Sequence, residues 1–116
     1  MKGYQRSERL SDLIQREVAD ILQKRVKDPR LQGLTITAVK VSGDLRHATI
    51  FYRDTFRKEE PSVLGDALGK ATGFIRRELA GRLYLRYTPK LSFSYDDSAD
   101  YGEKIDRLLR MLHEEK

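Results

Sequence analysis

Apolar residues return every third or fourth position through residues 8–26, at Leu10, Leu13, Ile14, Val18, Ile21, Leu22 and Val26. That spacing predicts an amphipathic helix with one apolar stripe. Ser7 is placed to cap its start. Asp12–Arg16 and Asp20–Lys24 are acid-first pairs one turn apart, the favourable orientation. Pro29 is expected to stop the helix, because it pushes Asp28 out of the helical region.

The period then changes. Residues 34–41 are rich in Thr, Val and Ile, and residues 47–53 alternate through Ala48, Ile50 and Tyr52. With Ser42-Gly43-Asp44 as the turn, this predicts an antiparallel hairpin. The apolar parity slips between Ile36 and Val39, which leaves either a bulge or a two-sided strand. A charged loop at 54–61 leads to a second helical pattern over about 62–85. Leu91, Phe93 and Tyr95 mark a third short strand, 90–96. Ile105, Leu108, Leu109 and Leu112 stripe a last helix over about 101–113, with Asp100 and Glu103 at capping-box spacing. The order α-β-β-α-β-α is buried most economically by one three-stranded sheet with helices on one face, an α+β domain.

Length and composition narrow the classes. A chain of 116 residues holds one core and not two. The absence of cysteine removes disulfides, thiol catalysis and thiolate zinc sites, and fits a cytoplasmic protein. The first ten residues carry no apolar run, so no signal peptide is expected, and no apolar window is long enough for a membrane span. Charge is unevenly placed: residues 1–95 balance to +8 and residues 96–116 to −3. A basic body suits either a polyanionic partner, most simply nucleic acid, or a plain solubilising surface.

The second helical segment singles itself out. Gly65, Gly69 and Gly73 lie four apart and share one side of a helix, although each costs about 1 kcal/mol against alanine. Close approach to the sheet or to the first helix is the expectation for Gly65 and Gly69. Gly73 separates two apolar phasings, Val63-Leu64-Leu68 and Phe74-Ile75-Leu79-Leu83, and is expected to kink the helix. Such a kink would bare the amides from Phe74 onward to a phosphate. From Lys70 to Lys90 there are six basic residues and one acid.

These residues carry a resemblance. The order α-β-β-α-α-β, with its last helices joined at a kink, resembles the type II KH fold, although the usual GxxG loop is missing. Ala71-Thr72-Gly73 stands in its place and looks like the AxG kink of the ribosome-binding factor A family. The stretches "RLSDLIQREVADILQKRVKDPRL", "VSGDLRHATIFY", "ATGFIRREL" and "LRYTPKLSFSYDDS" are similar to that family's first helix, hairpin, kinked helix and third strand, and the match runs over residues 6–112. The resemblance implies a KH-like RNA-binding domain at 1–98 and a C-terminal helical extension at 99–116. It implies a non-enzymatic assembly factor that binds the precursor of the small (30S) ribosomal subunit and promotes 16S rRNA processing, with a link to growth in the cold.

Expected RNA contacts are Lys70, Ala71, Gly73, Arg76, Arg77, Arg82, Arg86 and Lys90, with Arg46 from the hairpin. Arg30 either joins them or pairs with Asp28. Tyr52, Tyr84 and Tyr87 could stack on bases or simply pack. Asp96, Asp97 and Asp100 read more simply as turn and cap chemistry than as a metal site. His47 and His113 stand apart from any nucleophile, so no catalytic constellation is present. No cofactor and no metal are expected, and a monomer is. Two rival readings use the same surfaces: a DNA-binding regulator, and a protein–protein adaptor acting through a β edge or the last helix.

Overall fold

The computed structural model describes residues 2–55 and 59–114, with side chains at 6–55, 59–98, 102 and 104–113. Its elements are α1 (Lys2–Lys24), β1 (Leu34–Val41), β2 (His47–Asp54), α2 (Pro61–Leu83), β3 (Lys90–Tyr95) and α3 (Ser98–Glu114), with a 3₁₀ turn at Pro29–Leu31. The sheet order is β1-β2-β3. β1 and β2 are antiparallel, and β3 runs parallel to β2, so α2 is the crossover that a parallel neighbour requires. The expected α+β architecture, three strands with helices on one face, is the one observed.

The core lies between that face and the two long helices. Ile14, Val18 and Ile21 of α1, Ile50 of β2, and Leu64, Leu68, Ile75 and Leu79 of α2 are all fully buried. Tyr52 is buried beside them, its ring edge-on to Tyr95 at 5.8 Å, which leaves it unavailable for base stacking. The parity slip in β1 is a bulge: Ile36 pairs with Tyr52 and Ala38 with Phe51, leaving Thr37 without a partner in the ladder. The edge of β1 is partly covered by α1, where Ser11 Oγ accepts from Val41 N at 3.2 Å.

Several boundaries differ from expectation. α1 begins well before Ser7, at Lys2, and runs through Gly3. Ser7 is buried within the helix, and its carbonyl accepts from Ser11 Oγ. α1 ends at Lys24 rather than at Pro29, with Arg25 N and Val26 N both donating to Ile21 O. Asp28 instead caps the 3₁₀ turn, in the extended conformation that a following proline imposes. Leu13 falls off the apolar stripe and is exposed.

The largest correction concerns α2. It runs as a single helix through Gly73, so the two helices joined at a kink are one, and the amides after Gly73 sit inside the helical hydrogen-bond ladder. Buried Leu68 before Gly73 and buried Ile75 and Leu79 after it hold both halves to the same core. Against that packing, one glycine's helix cost of about 1 kcal/mol is too small to end the helix there. Close approach at Gly65 and Gly69 is corrected too. Both are exposed, and a Cβ added at either would meet nothing within 4 Å.

α3 starts at Ser98, earlier than the capping-box pair Asp100 and Glu103, whose side chains lie outside those described. Its start is fixed by Asp96, whose carboxylate accepts from Ser98 N at 3.0 Å and Ser98 Oγ at 2.6 Å. Every described side chain of α3 beyond Ser98 is exposed.

Candidate nucleic-acid interface

The basic residues divide by what holds them. Arg82 reaches from α2 to α1, bonding Asp20 at 2.6 Å and Glu17 at 3.0 Å. The Arg82 guanidinium, then Lys24, holds the Asp20 carboxyl below its ordinary value. Arg25 bridges back to Glu78 at 3.1 Å. These pairs pin the two helices together, so Arg82 faces α1. Arg30 forms a forked pair with Asp28, at 2.7 Å for the shorter contact, and feels Glu59 and Asp66 as well. It therefore sits near Glu59 and Asp66, at the start of α2.

Arg76 is also engaged, by backbone. Its Nη2 donates to Thr88 O at 2.6 Å and its Nε to Pro89 O at 3.1 Å. The guanidinium thereby clamps the connector 84–89 against the last turns of α2, with fully buried Pro89 behind it. Sequence reading placed Arg76 among outward-facing cations. The signal against that role is tertiary, since its partners lie twelve and thirteen residues along.

Lys70, Arg77, Arg86 and Lys90 form no ion pair among the described residues, and Arg46 makes a ring contact rather than a pair. Arg46 lies over the Tyr87 ring, 5.9 Å from its centre. Arg77 folds back along the helix toward Gly73, within 3.6 Å of where a Cβ would stand there. Ala71 is half-buried against the core. Gly65, Gly69 and Gly73 form a bare, exposed stripe on α2 with Lys70 and Arg77 beside it. Chemically this is a surface of unneutralised cations around exposed backbone, suited to the sugar–phosphate chain of a nucleic acid. The amides after Gly73 lie within α2, so what this surface offers an anion is side chains and not freed amides.

Next to this stripe a cleft of about 410 Å³ opens between α2 and the connector, lined by Gly73, Arg77, Arg86, Tyr87 and Thr88 among others. Tyr84 caps α2 in the left-handed conformation and is almost wholly exposed. Among the described residues no three His, Asp or Glu side chains converge as metal ligands. No described helix is long and apolar enough to cross a membrane.

Comparison with known proteins gives consistent matches. A family model described as Ribosome-binding factor A matches residues 6–109. A curated ribosome-binding factor A from Syntrophobacter fumaroxidans is 47% identical over 112 residues, covering 95% of this chain and 96% of its own length. The crystal structure of ribosome-binding factor A from Thermus thermophilus superposes with a TM-score of 0.68 at 28% identity, over 77% of this chain and 94% of that one. A homology model of the Thermus thermophilus factor, fitted into a cryo-EM map of a 30S complex with it, has a TM-score of 0.62 at 32% identity, over 73% and 89% of the two chains.

Proposed function

The chain belongs to the ribosome-binding factor A family, and on that premise we propose that it binds the small ribosomal subunit and its precursor rRNA and promotes 16S rRNA maturation. The observation that carries this reading is the division of charge. Arg25, Arg30 and Arg82 are ion-paired with carboxylates, whereas Lys70 and Arg77 of α2, Arg86 of the connector and Lys90 at the start of β3 form no ion pair among the described residues. The Thermus thermophilus relative, whose homology model is fitted into the map of a 30S complex, supports the choice of partner.

The mode of action is stoichiometric and non-enzymatic. Side chains contact phosphates, the bare glycine stripe admits the sugar–phosphate chain, and bound protein favours one rRNA arrangement over another. Residues 1–98 are the RNA-binding body of a cytoplasmic monomer, and residues 99–116 are an extension outside it. Co-sedimentation tests the proposal. The protein should travel with free small subunits and their precursors and leave joined ribosomes alone. Equal binding to both, or to neither, contradicts it.

A further inference from the structure

The cleft beside Gly73 has more structure than phosphate binding needs. On the α2 side it is lined by Gly73, which brings no side chain into it, and by Arg76, Arg77 and Ala80. Its wall, the connector 84–89, is fixed in place by the Arg76 clamp on Thr88 O and Pro89 O. Tyr87 stands on that wall, 56% exposed, with the Arg46 guanidinium lying over its ring from the hairpin turn. Arg77 and Arg86 occupy the rim without carboxylate partners among the described residues. A half-exposed aromatic ring that lines a cleft and is backed by a guanidinium is a stacking platform, and every nucleobase has a face to offer it.

The size and chemistry together select the ligand. The cleft volume of about 410 Å³ falls at the lower end of pockets that enclose a small ligand. A duplex keeps its base faces inside its own stack, so it has nothing to lay on Tyr87. We infer that this cleft takes one unpaired nucleotide of RNA, its base stacked on Tyr87 and its phosphates held by Arg77 and Arg86. The inference rests on the RNA-binding reading above and adds what the bound segment must be: a strand, loop or bulge with a base turned out.

The test uses the full chain with Tyr87→Leu and Tyr87→Phe, and three probes: purified small subunits, a short oligouridylate carrying one 2-aminopurine, and the same strand paired to its complement. Tyr87 is exposed, so both variants should keep the wild-type circular dichroism spectrum. Loss of one stacked base should weaken Tyr87→Leu on subunits and on the single strand by about five- to 150-fold. Tyr87→Phe, which keeps the ring, should stay within about twofold of wild type. Quenching of the 2-aminopurine should accompany binding by wild type and by Tyr87→Phe, and the paired strand should bind more weakly. Wild-type affinity of Tyr87→Leu for the single strand and for subunits would overturn the inference, as would equal affinity for single and paired strands. Failure of the wild-type chain to bind subunits, with the single strand still bound through Tyr87, would overturn the proposed function alone.

Discussion

Replacing Gly65, Gly69 and Gly73 with alanine should make the protein more stable. All three lie inside α2 on its exposed face. A Cβ at Gly65 or Gly69 meets nothing within 4 Å, and one at Gly73 touches only Arg77 Nη1, at an ordinary 3.6 Å. No packing term therefore opposes the change, and helix propensity decides the sign. Each substitution should add about 1 kcal/mol, so the triple variant gains about 2–3 kcal/mol. For a domain of this length that raises Tm by about 8–12 °C. Urea unfolding followed by circular dichroism is the assay, and the midpoint should rise with an unchanged slope. A lower midpoint would mean that the stripe faces a neighbour after all, and an unchanged one that the helix is already locally open there. The same variant should bind small subunits less tightly, because three methyl groups now stand between backbone and RNA. Higher stability with undiminished binding would remove the stripe from the interface.

Two further predictions concern the scaffold. Arg76→Ala removes two charge-assisted bonds to the connector and should lower stability by about 1–3 kcal/mol. RNA affinity should fall with it, although Arg76 itself is not among the free cations. Unaltered hydrogen exchange in residues 84–89 of that variant would show that the clamp does not order the connector. Asp96 is the other scaffold residue. The Ser98 hydroxyl, then the Thr37 hydroxyl and the Ser98 amide, lower its carboxyl from the usual 3.8 to about 2. A carboxyl depressed in the folded state stabilises it above the ordinary value and loses that contribution as pH falls through the folded one. Stability should therefore drop between about pH 4 and pH 2, and Asp96→Asn should flatten that drop. An identical acid profile for the variant would mean that the three bonds seen at Asp96 do not persist in solution.

The elements were legible because their periods are clean. The stripe from Leu10 to Val26 and the alternation through Ala48, Ile50 and Tyr52 each admit one kind of element. The slip at Ile36–Val39 correctly announced an irregularity, which the structure resolves as the bulge at Thr37. Gly73 misled because local propensity argues for a break, while burial of Leu68, Ile75 and Leu79 on both sides overrides it. The site was half legible. The run from Lys70 to Lys90 is visible in one dimension, but which of its cations are free is not. Arg82 finds Glu17 and Asp20 across the α1–α2 contact. Arg46 finds Tyr87 only once the hairpin turn and the connector have been brought together. Both facts belong to tertiary packing.

Salt dependence of binding to small subunits, measured by filter retention for wild type and for the Arg77→Ala, Arg86→Ala double variant, probes the central claim most directly. With Lys70, Arg77, Arg86, Lys90 and Arg46 on about five phosphates, the log–log slope for wild type should be about −3.5 to −4.5. The double variant, left with about three, should fall to about −2.1 to −2.7. A wild-type slope near zero, or the same slope in both proteins, would contradict the account.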